Sequence, residues 1–238
     1  MIRHRRPWRL ALLGASLLLS GLIIPGSTAA VEPLTVISAG ATALERAVRL
    51  EPAVRPGAAC RRVWVVGDSL TVASSRSLRL GLAGLGVEYV VDGAISRRVN
   101  PGGISAVRAI RTASGEADCW VIALGSNDIY VNAARPITRA YASSVIETMT
   151  AELSPGARVW WVNINVRDSS TNIVSSGVMN SSLGDRDLAD PDFAVIDWYT
   201  LSQSNPTWFA NDNLHYNSAG YRARADQIVE AIRRNGER

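Results

Sequence analysis

The sequence predicts an α/β domain built on a five-stranded parallel sheet with helices on both faces. Three observations carry this. Five short apolar runs have the length of buried strands, segments with helical spacing separate them, and turn-forming residues follow several of the runs. Strands that alternate with helices make βαβ units, which require a parallel sheet and right-handed crossovers.

The first run is VWVV (63–66), followed by a helical segment over 70–84. VEYVV (87–91) precedes a helix over 102–115, and CWVIAL (119–124) precedes one over 136–153 with Pro136 suited to its first turn. ARVWWVNI (157–164) leads to a helix over 172–184, and FAVID (193–197) to a last one over 218–234 that Ser218 is suited to start. In such sheets the working residues lie just beyond the carboxyl ends of the strands. No internal repeat or low-complexity segment interrupts the pattern.

Composition excludes several chemistries. All 25 basic residues are Arg, so a Walker phosphate loop, a Ser–Lys dyad and a lysine Schiff base have no lysine to use. With 2 His and 2 Cys, a zinc site of the Cys/His type is not expected, and no metal or organic cofactor is required by the chemistry below. The formal charge of +4 comes from Arg3, Arg5, Arg6 and Arg9. Past residue 30 Arg and acids balance, so the high pI belongs to the start of the chain and no nucleic-acid partner is implied.

Residues 1–30 have the pattern of a secretory signal peptide: a basic start, an apolar run from Leu10 to Ile24, and Pro-Gly-Ser-Thr-Ala-Ala over 25–30. The run is shorter than the ~20 residues that span a bilayer, which favours cleavage over a retained single-span anchor. Arg5-Arg6 lacks the flanking residues of a twin-arginine signal, and no Cys near the cleavage region invites lipid modification. A secreted or cell-envelope protein with no stable span after cleavage is expected. Residues 31–59, rich in Ala, Pro and Gly, form a linker or loosely docked arm, and 60–238 the domain.

Three loops carry candidate chemistry. After the first strand, Gly67-Asp68-Ser69 puts a hydroxyl on a tight strand-to-helix turn, with the serine's own N–H at a helix N-terminus. Ser69 is then either a nucleophile or the cap of the helix. After the third strand, Gly125-Ser126-Asn127-Asp128 either supplies an amide donor to an oxyanion or simply makes a turn. Near the C-terminus comes Asp212-Asn213-Leu214-His215. With His4 in the leader, His215 is the one imidazole left to the mature chain, and Asp212 can orient it through Nδ1. The α/β-hydrolase elbow G-x-S-x-G is absent, because Thr71 stands where its second Gly would be.

These three blocks, in this order, resemble the SGNH (GDSL) hydrolase family over roughly residues 61–234. The resemblance implies a three-layer α/β/α flavodoxin-like fold, Ser69 as nucleophile, Asp212 and His215 as its partners, and Asn127 in the oxyanion hole. The family's second block departs from its pattern here. A Gly whose N–H completes the hole is replaced by Asp92-Gly93-Ala94-Ile95-Ser96-Arg97-Arg98, where Ser96 falls nearest the expected position. In the flavodoxin-like order the first and third strands are neighbours, and Cys60 and Cys119 stand seven and six residues before Gly67 and Gly125. Near-equal offsets at the non-catalytic edge, in an exported chain, predict a Cys60–Cys119 disulfide.

The function implied is a secreted serine esterase working through an acyl-enzyme on a small-molecule or cell-wall ester, as a monomer. Two alternatives stand beside it. Related cell-wall enzymes pass the acyl group to a sugar hydroxyl, although nothing in the chain suggests acyl-donor machinery within a membrane, which favours water as acceptor. A non-catalytic carbohydrate binder would use Trp198, Tyr199, Trp208 and Phe209 as sugar-stacking faces, unless these are core or pocket wall.

Overall fold

Alternation along each strand decides the layers. The computed structural model describes residues 60–131 and 134–235, so the expected leader over 1–30 and arm over 31–59 lie outside the described residues. Five parallel strands, β1 (Arg62–Gly67), β2 (Glu88–Gly93), β3 (Cys119–Ala123), β4 (Arg158–Val162) and β5 (Phe193–Ile196), lie in the order β2-β1-β3-β4-β5. On one face Trp64, Val66, Trp120, Ile122, Val159 and Trp161 pack against α2 (Ile104–Ser114), α3 (Arg139–Thr150) and α4 (Ser170–Ala189). On the other, Val63, Val65, Cys119, Val121, Trp160 and Val162 pack against α1 (Ser69–Leu85) and α6 (Ser218–Asn235). Both faces being covered, the strands are almost uniformly apolar rather than alternating in polarity. The result is the three-layer α/β/α fold that the sequence predicts.

The buried tryptophans of the first face each find an acceptor. Indole N–H groups donate from Trp64 to the Gly115 carbonyl (3.1 Å), from Trp120 to Ser154 Oγ (3.1 Å) and from Trp161 to the Leu124 carbonyl (3.0 Å). Large apolar bodies are buried without leaving a donor unsatisfied, which would cost about 1–3 kcal/mol each.

Element boundaries move where a cap was misjudged. Thr138, not Pro136, ends the third connection: its hydroxyl accepts the Tyr141 N–H, and α3 begins at Arg139. The helix expected over 172–184 runs from Ser170 to Ala189, because the Ser169 hydroxyl caps it on the Asn172 N–H. Asn217 does the capping for α6 and Ser218 is its first residue, with Oδ1 of Asn217 accepting from Ala219 and Gly220. The short helix α5 (Trp198–Gln203), started by Asp197, was not expected.

The chain's own groups take up part of each sheet edge. On β5 the outward Phe193 and Val195 N–H groups go to the Asp190 carbonyl and Asp187 Oδ2, and Gln227 donates to the Asp197 carbonyl. On β2, Arg79 donates to the Val91 carbonyl. Unpaired edges are templates for further strands; the outward β5 amides are taken, and on β2 one carbonyl is.

The disulfide is present: Cys60 and Cys119 are bonded with Cα atoms 5.6 Å apart. Its geometry differs from the offset argument. Gly67 pairs with Ala123 rather than Gly125, and Cys119 lies opposite Val63. An extended chain would put Cys60, three residues further back, roughly 10 Å away along the strand. A bend at Arg61 brings it in, fixed by Asp118 Oδ2 accepting the Arg61 and Arg62 N–H groups (3.1 and 2.9 Å).

Candidate active site

Ser69 opens α1 directly after β1, on a turn that only a glycine permits. A Cβ on Gly67 would lie 1.9 Å from Thr71 Oγ1, so the first turn of α1 could not fold back this tightly. Asp68 then takes the capping role that sequence alone left open for Ser69. Its Oδ1 accepts the Leu70 N–H at 2.9 Å. The Ser69 hydroxyl is thereby left for another partner, His215 Nε2 at 3.0 Å.

The histidine is presented by a loop that the Asp-x-x-His spacing builds. Asp212 Oδ1 accepts the N–H groups of Leu214 (3.1 Å) and His215 (2.9 Å), and Asn213 between them takes the left-handed conformation at φ 54° that Asn tolerates. Oδ2 is left for His215 Nδ1, at 2.6 Å. A carboxylate only accepts, so Nδ1 carries the proton and the Nε2 lone pair faces the serine hydroxyl. Burial works to raise the Asp212 carboxyl, but the His215 ring and the two loop amides outweigh it and hold it at about 2. The loop is pinned on two sides, by the Arg167 N–H on the Asn213 carbonyl (3.0 Å) and the Ala210 N–H on the His215 carbonyl (2.8 Å).

Asn127 reaches the same place from the end of β3. Gly125, at φ 123°, makes the turn that a side chain would strain. The half-buried Asn127 amide donates to the Arg97 carbonyl (3.2 Å) and weakly to Asp68 Oδ2 (3.4 Å). Asp128 behind it is buried and accepts the Val99 N–H with both oxygens. Burial raises its carboxyl to about 6 against the pull of that N–H and of Arg98.

Ser96 is exposed on the second loop at φ 56°. This is the conformation in which a glycine is at ease, which accounts for the position where the resemblance expects one. The next residue, Arg97, binds the second loop to the first. Its guanidinium donates to the Gly67 carbonyl (3.2 Å), the Asp92 carbonyl (3.0 Å) and Asp92 Oδ1 (3.0 Å).

The four aromatics follow the core-or-wall reading rather than the sugar-stacking one. Trp198 is buried, stacked on Trp208 with centroids 5.8 Å apart, and its N–H donates to the Tyr216 hydroxyl at 2.8 Å. Phe209 meets Tyr216 edge-on and lies under the Arg167 guanidinium. The cluster is a wall behind the histidine loop, with Trp198 in the core; Tyr199 is half-buried and its N–H is held by Asn163 Oδ1.

Several contributors were missed in the sequence: Asp68, Arg97, Tyr130, whose hydroxyl donates to Asp168 at 2.8 Å, and Arg224, wholly buried near Asp68. For Arg224 a signal existed, since its spacing of four and eight to Ile228 and Ile232 puts it on the apolar stripe of α6. A cavity of about 590 Å³ along the β5 edge, lined by Trp160, Ile196 and Gln227 among others, contains none of the residues around Ser69.

No family model matches the chain. It is 23% identical over 179 residues to a putative peptidoglycan O-acetyltransferase of Bacillus subtilis, YrhL, covering 75% of this chain and 25% of that protein; the chain thus spans about a quarter of that relative. Among solved structures, a G-D-S-L family lipolytic protein from Veillonella parvula matches with a TM-score of 0.61 at 21% identity, over 73% of this chain and 98% of the other. The C-terminal catalytic domain of Streptococcus pneumoniae peptidoglycan O-acetyltransferase A matches with a TM-score of 0.60 at 16% identity, over 74% and 94%. A lipase/acylhydrolase from Enterococcus faecalis gives 0.58 at 21%, over 72% and 95%. With its strand order, its layers and these likenesses together, the described domain has the fold of the SGNH (GDSL) hydrolases.

Proposed function

We propose that the protein is an extracytoplasmic SGNH serine enzyme that cleaves carboxylic esters through an acyl-enzyme on Ser69. One observation carries the proposal: the unbroken chain from Ser69 Oγ to His215 Nε2 (3.0 Å) and from His215 Nδ1 to Asp212 Oδ2 (2.6 Å). His215 takes the hydroxyl proton as Ser69 attacks the ester carbonyl, then returns it to the leaving alcohol. Asp212, ionised throughout, stabilises the imidazolium formed in between. The oxyanion is received by the Ser69 N–H, an N–H of the second loop at Ser96, and the Asn127 amide, which turns to it from the Arg97 carbonyl. Water activated by His215 then releases the acyl group. The signal-like start and the disulfide support action outside the cytoplasm.

A second proposal keeps the same acyl-enzyme and changes the acceptor to a cell-wall sugar hydroxyl. The likeness to two proteins named as peptidoglycan O-acetyltransferases favours it. One experiment separates the two: turnover of p-nitrophenyl esters of graded chain length, with and without a chito-oligosaccharide. Free acid as the product in both arms supports the hydrolase, and acylated sugar supports the transferase. Failure of an organophosphonate ester to label Ser69, with turnover of those esters intact, overturns both.

A further inference from the structure

Where β1 and β2 end, an arginine side chain continues the hydrogen bonding that the sheet gives up. Gly67 and Gly93 face each other in the last register pair, and the Ala94 N–H makes a final main-chain bond to the Gly67 carbonyl (3.1 Å). Beyond it, Arg97 Nη1 donates to that same carbonyl (3.2 Å) and to the Asp92 carbonyl (3.0 Å), while Nη2 donates to Asp92 Oδ1 (3.0 Å). The side chain is 12% exposed, and its stem lies against Gly102, where a Cβ would come within 3.1 Å of Cγ. An arginine that merely paired with Asp92 would keep its head in water and contribute little. This one is drawn inward onto two strand ends, where its planar fork holds three acceptors at once; an ammonium has no such fork.

We infer that Arg97 is a positioning residue that assembles the oxyanion hole, its guanidinium fixing the second loop to the Ser69 turn and its carbonyl setting the Asn127 amide. Each donor proposed for the oxyanion is tied to it. The Gly67 carbonyl that it holds lies two residues before Ser69. Ser96 directly precedes it in the left-handed conformation at φ 56°, which a residue with a side chain keeps only where neighbouring contacts enforce it. The main-chain bond that closes this turn, from the Arg97 N–H to the Ala94 carbonyl, is long at 3.3 Å, so the guanidinium supplies the hold. On the other side, the Arg97 carbonyl accepts from Asn127 Nδ2 at 3.2 Å. A carbonyl only accepts, so the Asn127 amide presents its nitrogen and not its oxygen to the second loop, ready to turn to the oxyanion.

This inference rests on the acyl-enzyme site proposed above, and the test keeps the two apart. The full chain is assayed with p-nitrophenyl acetate as wild type, Ser69→Ala, Asn127→Ala, Arg97→Met, Arg97→Lys and Arg97→Met/Asn127→Ala, with active sites counted by organophosphonate labelling run to completion. Inhibition by an alkylboronic acid, whose tetrahedral adduct on Ser69 sets an oxygen in the hole, is measured beside it. In Arg97→Met kcat should fall roughly 10²-fold with KM within about twofold, the cost of donors misplaced by about an ångström. The boronic acid should bind more weakly by a similar factor, as a mimic of the transition state. The double variant should lose at least about fivefold less than the product of the single losses, because Arg97 acts partly through Asn127. An arginine that only stabilises the fold would lower the unfolding midpoint and leave kcat per active site unchanged. If Arg97→Met does not fold, Arg97→Lys decides, since it keeps the charge facing Asp92 and loses the fork; kcat should drop about tenfold or more at an unchanged KM. Wild-type kcat in the folded variant, a loss confined to KM, or single losses that multiply in full overturn the positioning role. Turnover surviving in Ser69→Ala, or wild-type kcat in Asn127→Ala, overturns the site instead.

Discussion

At the amino end of the sheet, the Cys60–Cys119 bond and the Asp118 carboxylate bind β1 to β3, with the chain entering β1 held by backbone N–H groups on that carboxylate. At the carboxyl end of the same two strands, Gly67 and Gly125 open into turns with buried carboxylates, Asp68 and Asp128, and the charge on Asp68 adds to the cost of ionising Asp128. One end spends its groups on holding strands together, and the other buries carboxylates beside Ser69 and Asn127, where Asp68 caps the helix that Ser69 opens. The lesson is that rigidity and chemistry are separated by the length of a strand, ~17–20 Å for a typical one. Changes at one end should therefore leave the other's property nearly intact.

The sharpest break in that comparison is Ser69→Ala. It should abolish ester turnover by ~10⁶-fold, the scale for losing a triad nucleophile, while the unfolding midpoint stays near wild type. Steady-state kinetics beside calorimetry checks both halves. The opposite end gives the mirror image. Cys60→Ser/Cys119→Ser removes a cross-link spanning 59 residues, which the chain-entropy model values at about 4 kcal/mol. Denaturant unfolding should register that loss, and kcat measured while the variant is folded should be unchanged. A fall in kcat would mean the two ends are coupled.

Asn127→Ala should lower kcat by ~10²–10³ with little change in KM, as for a single oxyanion donor, read from p-nitrophenyl ester kinetics. The smallest effect concerns Asp128. Its folded carboxyl is raised to about 6 from 3.8, so between those values the folded state keeps a proton that the unfolded chain has lost. Ionised Asp128 thus costs stability above pH 6, and the cost fades as pH falls toward 4. Asp128→Asn should raise the unfolding midpoint at pH 8, by at most ~3 kcal/mol and less to the extent that it weakens the Val99 contact, with no gain at pH 4.

What the sequence disclosed follows from how local each signal is. Five apolar runs between helical segments gave the sheet; Ser69 stood out by its Gly-Asp-Ser turn at a strand end, and His215 and the cysteines because so few residues of their kind exist to choose from. The cap at Thr138 was hidden by Pro136, two residues earlier and equally able to begin a helix. Asp68 was hidden by its more familiar neighbour. An aspartate before a serine has the look of loop polarity, and its burial among distant parts of the chain, the Asn127 loop included, is set only by the folded structure. For Trp198 the sequence left a sugar-stacking face and a core place both open, and the helix that Asp197 caps turns it inward.

The outermost strand β5 has a consequence for how this molecule meets copies of itself. A four-residue outermost strand, β5, whose outward amides are spoken for by Asp190 and Asp187, offers an incoming strand almost no donors to register against. At that margin an added strand would have to displace these contacts before it could form its own, a cost set by single hydrogen bonds. The two margins thus differ: β5 has its outward amides taken by Asp190 and Asp187, whereas on β2 the Arg79 guanidinium reaches the Val91 carbonyl alone, so any strand addition is directed toward the β2 side.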